Sequence, residues 1–165
     1  MSWVYPTMLL VGAMASALVA GIFYAFSSFI MPAFGRLPED DGKSAMNAIN
    51  VAVYTPSFMI LFMGTALLCA ILGISSLFSF GDPAGKSVFA ASLLYLVGCF
   101  GVTVLFNVPL NRRLAAANEG RDVSWPKYLR EWTRWNTVRT IGAGLAAMLL
   151  ILALVLGYGM EQPIA

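Results

Sequence analysis

Arg139 and the carboxamides Asn107, Asn111 and Asn136 stand at the borders of long uncharged runs, where a polar side chain is costly to keep. A guanidinium offers a planar fork of N–H donors, and each carboxamide adds two donors and an acceptor. Such a set can hold an oxyanion or a ligand carbonyl. The stretch from Phe106 to Arg139 also gathers seven of the ten basic residues and three of the four tryptophans. At helical spacing Tyr128, Trp132, Trp135 and Arg139 share a stripe, with Asn136 one turn from Arg139. The chemistry within reach is stabilisation of negative charge beside flat apolar surfaces. The competing reading of Arg139 is a side chain that snorkels to phosphate headgroups. A general base is missing from the pattern, because the chain has no histidine and Glu119, Asp122 and Glu131 fall in its hydrophilic loop.

The elements that must position these groups follow from composition. At 59% hydrophobic and 11% charged residues over 165 positions, with mean hydropathy +0.79, the chain is too apolar for a soluble domain. Its uncharged blocks, Met1 to Gly35, Ser44 to Gly81, Ser87 to Asn111 and Thr140 to Met160, each exceed the ~20 residues that cross a bilayer. They are apolar all round, unlike the alternating strands of a β-barrel. The expected fold is an all-α integral membrane protein, a four-transmembrane-helix bundle forming one domain over residues 1–165. Its spans are expected near residues 7–31, 56–78, 87–106 and 138–158, with amphipathic segments over 32–55 and 107–137.

No Lys or Arg precedes Arg36, so the first run reads as a retained span and not a signal peptide. Nine basic residues fall in the first and third loops and only Lys86 in the second. The positive-inside rule then puts the large loops in the cytoplasm and both termini outside, in the cell inner membrane. The basic pI of about 8.7 reports this asymmetry and not nucleic-acid binding. Cys69 and Cys99 should differ in depth by roughly 9 Å, beyond disulfide reach, and read as small buried hydrophobes. With no histidine and two such thiols the chain has no metal ligand set. A haem would be left with Met31, Met46, a tyrosine or a cysteine as axial ligand, a poor choice.

Along the chain, Tyr24, Ser27 and Ser28 cluster near the end of the first span. Pro38 followed by Glu39, Asp40 and Asp41 opens a helix with acids on its positive dipole end. That helix carries a stripe of Met46, Ile49 and Val53 and another of Asn47, Asn50 and Tyr54; the asparagine stripe fits either solvent or a ligand. Phe80 to Gly85 reads as a tight turn that makes spans two and three a hairpin. Pro109 should bend or end the third span, a short helix from Arg112 to Asn118 should stop at Gly120, and Ser124-Trp125-Pro126 should open a last helix of 33 residues reaching Gly157. Gly142, Gly144 and Ala146 offer a small-residue face for packing. The segments Pro32 to Leu37 and Pro109 to Leu114 form a weak repeat.

Phe23-Tyr-Ala-Phe-Ser-Ser-Phe-Ile-Met-Pro32, Met46-Asn-Ala-Ile-Asn50, Asn107-Val-Pro-Leu-Asn111 and Trp132-Thr-Arg-Trp-Asn136-Thr-Val-Arg139 together resemble the small four-helix membrane protein family that includes the anthrone oxygenases. The resemblance implies oxidation of a tricyclic anthrone to an anthraquinone by molecular oxygen without metal or flavin. It further implies an apolar slot, to which Phe23, Phe26, Trp132 and Trp135 are suited, and oxyanion donors, to which Asn107, Asn111, Asn136 and Arg139 are suited. Tyr24 or Tyr54 is placed to relay a proton, with Ser27 and Asn50 as further substrate contacts. The expected partner is a hydrophobic small molecule or lipid within the membrane, no nucleic acid is expected, and a homo-oligomer is left open. A non-catalytic membrane protein that binds a lipid, quinone or protein partner is the alternative.

Overall fold

A computed structural model describes residues 3–117 and 123–159 of the chain. Asn118, Glu119, Gly120, Arg121 and Asp122, assigned above to a helix end and the hydrophilic loop, lie outside the described residues. Among the described residues four helices are long and apolar enough to cross a membrane: α1 (Val4–Phe34), α3 (Pro56–Ser79), α4 (Pro83–Ala116) and α5 (Trp125–Gly159). The amphipathic α2 (Glu39–Ala52) lies between the first two. The fold is the expected all-α four-helix membrane bundle.

Local signals set the helix starts. Glu39, Asp40 and Asp41 occupy the first turn of α2, with Pro38 just outside it as the N-cap. Thr55 caps α3 by accepting the Phe58 N–H at 3.4 Å, ahead of Pro56. The tight turn after Ser79 folds α4 back on α3. The Ser124 carbonyl accepts the first bond of α5 from the Tyr128 N–H at 3.0 Å.

The spans pack as a closed ring in which α5 touches α1 and α4, and α3 completes the circle between them. Their shared interior holds Val19, Phe23, Phe62, Cys69, Leu72, Tyr95, Cys99, Ala146 and Leu150. Both cysteines are free. The small-residue face of α5 divides between two neighbours. A Cβ on Gly142 would meet the Gly98 carbonyl carbon of α4 at 2.9 Å, whereas one on Gly144 would reach no nearer than Ala20 of α1 at 4.0 Å. A second core of Met31, Met46, Leu114, Trp125, Tyr128 and Trp132 fastens α2 across the ends of α1, α4 and α5. Gly42 makes this seat possible, since a Cβ there would stand 2.6 Å from the Trp125 ring.

The helix of the third span does not end at Pro109. It runs through the proline to Ala116, and the reason lies in the turn before it. Thr103 to Asn107 is π-helical, with the Val108 N–H bonded to the carbonyl of Thr103 five residues back. The widened turn admits a proline that has no N–H for the Leu105 carbonyl. The same arrangement occurs in α1, where Phe26 to Ile30 is π-helical and the Met31 N–H reaches the Phe26 carbonyl just before Pro32. A longer π-helical stretch covers Leu94 to Gly101.

Candidate functional site

Trp132, Asn136 and Arg139 follow one another at four and three residues along α5, so they share the face turned into the ring. Arg139 is only 5% exposed and does not snorkel. Its Nη2 donates to the Asn136 Oδ1 at 2.6 Å and its Nη1 to the Thr103 Oγ1 at 3.3 Å. Its Cζ lies 3.9 Å from the centroid of the Phe23 ring and 5.2 Å from that of Trp132. Aromatic faces thus supply the electron density that a desolvated cation seeks. The ion pairs among the described residues are Lys43 with Glu39 and Lys127 with Glu131, so Arg139 has no carboxylate partner among them.

Neutral groups hold the guanidinium in place. Asn136 donates to the Phe23 carbonyl at 2.6 Å and the Ser27 Oγ at 2.7 Å, which ties α5 to α1 beside the wide turn. Thr103 donates to the Cys99 carbonyl at 2.8 Å, leaving its oxygen lone pairs for Arg139. Asn107 donates to the Trp132 carbonyl at 3.2 Å. The Asn111 Oδ1 accepts from both the Trp132 Nε1 at 2.8 Å and the Tyr128 hydroxyl at 3.0 Å. Because α4 stays helical through Pro109, Thr103, Asn107 and Asn111 come at intervals of four along the wall that faces α5.

Beside this network lies a cavity of about 610 Å³, within the range of small-molecule sites. Its walls are mostly apolar: Phe23 and Phe26 of α1, Met46 and Ile49 of α2, Phe58 and Phe62 of α3, Phe100 of α4 and Trp132 of α5. Arg139, Thr103, Asn107, Asn111, Asn47 and Asn50 interrupt this surface, with Tyr54 and Arg112 also at its boundary. Five buried polar atoms on this lining have no partner within the protein: the Arg139 Nε, the Asn107 Oδ1, both amide atoms of Asn47 and the Asn50 Nδ2. Leaving each unsatisfied costs roughly 1–3 kcal/mol. They belong to residues that border one apolar space, which makes that space suited to a flat hydrophobic molecule with polar edges.

The expected site residues therefore separate. Arg139, Asn107, Asn111, Phe23, Asn50, Tyr54 and Trp132 line the cavity. Asn136 and Ser27 stand behind it, orienting Arg139. Tyr24 is 62% exposed and off the lining, since it follows Phe23 by about 100° around the helix. Trp135 also stays outside the cavity; it lies on the flank of the α5 stripe, with its ring stacked on Phe106 at 3.7 Å. The sequence reading passed over Thr103 and the aromatic wall of Phe58, Phe62 and Phe100. Their signals were present, as i, i+4 spacing of Phe58 and Phe62 and of Thr103 and Asn107. Among the described residues no three His, Cys, Asp or Glu side chains cluster.

Residues 58–149 match the family model described as anthrone oxygenase. That stretch includes Thr103, Asn107, Asn111, Trp132, Asn136 and Arg139. No curated protein and no solved structure matched the chain.

Proposed function

The chain belongs to the anthrone oxygenase family, and from that premise we propose that its cavity takes up a flat hydrophobic aromatic or quinone-like molecule and oxidises it with molecular oxygen. For an anthrone the balance is anthrone plus O2 giving anthraquinone plus water. The methylene carbon loses a proton, the resulting enolate gives its electrons to oxygen, and the hydroperoxide at that carbon loses water to leave the second ketone. Phe23, Phe58, Phe62 and Trp132 form the slot for the rings. Arg139, fixed by Thr103 and Asn136, faces the oxyanion, and Asn107 presents an acceptor beside it.

The observation that carries this reading is a buried arginine with no carboxylate on it, opening onto an apolar cavity. The nine-to-one bias of basic residues supports placing the cavity at the cytoplasmic side of an inner membrane, with both termini outside. The test is oxygen uptake by purified protein in non-ionic detergent with anthrone, alongside the absorbance of anthraquinone. One oxygen consumed per anthraquinone formed, lost in Arg139→Gln, is the expected result. A second reading, binding without turnover, is favoured by the lack of any Asp, Glu or His among the described residues of the lining. It predicts that anthraquinone binds while oxygen uptake stays at the rate of empty micelles.

A further inference from the structure

We propose that the cavity selects its ligand already ionised, as a planar aromatic oxyanion that serves as the counter-ion of Arg139, so that no protein base is needed. This rests on the reading of the cavity as the substrate site and specifies the form in which substrate is held there.

Among the described residues the lining carries two cations, Arg139 and Arg112, and no carboxylate. The guanidinium, nine-tenths removed from solvent, has its Nη atoms spent on a threonine and an asparagine and no counter-charge among the described residues. Its remaining Nε is buried and without a partner. Neutral hydrogen bonds and aromatic faces do not cancel a buried charge, whereas an anion in the adjoining space does. Every element around Arg139 bears on this balance. From α1 only Tyr24 is ionisable nearby, and it is off the lining; α2 keeps Lys43 paired with Glu39. α3 brings Cys69 within the core, α4 brings Cys99 and Tyr95 in the core and Arg112 on the lining, and α5 brings Tyr128, whose hydroxyl is spent on Asn111. Tyr54 stands beyond α2 on the lining. The described carboxylates of these elements, Glu39, Asp40 and Asp41 of α2 and Glu131 of α5, are off the lining, and neither Glu39 nor Glu131 pairs with Arg139.

The missing general base then has a chemical explanation. The enol form of an anthrone is a phenol-like acid, and its proton can pass to water before or during binding. The anion that remains already holds the electron pair that oxygen accepts. The protein's contribution is to favour that anion in an apolar space where it would otherwise be reprotonated. Acidity of the ligand, read in place, is therefore the observable. If the anion binds tenfold better than its neutral form, the pKa of the bound ligand falls by about one unit.

The probe is 2-hydroxyanthraquinone, which has the tricyclic outline, no oxidisable methylene, and an anion that absorbs at longer wavelength than the neutral phenol. It is titrated in non-ionic detergent micelles, alone and with wild-type protein or Arg139→Gln, and 2-methoxyanthraquinone, which has no acidic proton, is the companion. The expected result is a bound pKa at least about one unit below that in empty micelles. The lowering should vanish in Arg139→Gln while the methoxy compound binds both proteins alike. A probe that binds wild type with its pKa unchanged or raised overturns the proposal and leaves the cavity reading standing. A lowered pKa that persists in folded Arg139→Gln overturns it as well. If neither compound binds wild type at any pH, the cavity reading fails and the proposal with it. The wild-type titration decides the matter even if Arg139→Gln does not fold.

Discussion

Replacing Asn136 by aspartate separates holding Arg139 in place from leaving it uncompensated. The side chain keeps its shape, and the oxygen 2.6 Å from the Arg139 Nη2 becomes part of a carboxylate. Fold stability then has opposing contributions. The bond to Arg139 becomes an ion pair, gaining about 1–2 kcal/mol over a neutral acceptor, while the donor to the Phe23 carbonyl is lost and two oxygens face each other, costing a similar amount. The Ser27 hydroxyl can turn and donate instead. Stability should stay within about 2 kcal/mol of wild type. Ligand binding has no such compensation. An oxyanion on the far side of the guanidinium would stand about 7 Å from the new carboxylate, and at an effective dielectric of ~20 the repulsion is about 2.4 kcal/mol. That weakens anion binding roughly 50-fold. The assay is the affinity of 2-hydroxyanthraquinone at a pH above its own pKa, with 2-methoxyanthraquinone as the neutral control. The hydroxy compound should lose its advantage while the methoxy compound binds as before. A thermally intact Asn136→Asp protein that binds the anion as tightly as wild type would refute the argument, because the charge of Arg139 would not be what the ligand answers to.

Other expectations concern the same scaffold. Arg139→Lys keeps the charge but loses the fork that reaches Thr103 and Asn136 together, so oxygen uptake and melting temperature should fall nearly as far as in Arg139→Ala; wild-type behaviour of the lysine variant would make Arg139 a plain charge. Gly142→Ala should destabilise the bundle by about 1–3 kcal/mol, because its methyl meets Gly98 backbone, while Gly144→Ala should be tolerated; thermal unfolding in detergent reads both, and equal effects would contradict the packing described. A reporter fused to the C-terminus should be active on the outer side of the membrane, given the distribution of basic residues, and a cytoplasmic signal from a functional fusion would move the site to the other side.

How far the sequence could be read depended on whether a signal survived changes of helical register. The spans were legible from uncharged length alone, and the face of Trp132, Asn136 and Arg139 from 3.6-residue counting in the unbroken α5. At Pro109 a bend or an end was expected, because a proline ordinarily costs a helix its hydrogen bond; the helix does not end there, and nothing in Thr103 to Asn107 announces the π-helical turn that accommodates the proline. Asn107 and Asn111 were grouped with Arg139, but Thr103, four residues before Asn107, was left out of that wall. Phe58, Phe62 and Phe100 were hidden differently. An aromatic residue in a uniformly apolar span carries no sign of whether it faces lipid, a packed core or a cavity, and only the ring order of the helices decides. The Asn47 and Asn50 stripe was visible, and with α2 seated through Met46 both residues are half-buried at the border of the cavity.

Wide turns stand at matching places before Pro32 of α1 and Pro109 of α4, each followed by the proline that the turn accommodates. With the two turns aligned, Phe23 corresponds to Phe100 and Phe26 to Thr103, and all four border the cavity. Ile30 corresponds to Asn107, so one half presents hydrocarbon where the other presents an amide. Like turns thus carry unlike side chains. Under the proposed function, a symmetric tricycle would therefore meet one polar wall, at Thr103, Asn107 and Arg139, and one aromatic wall, and would be held in one direction.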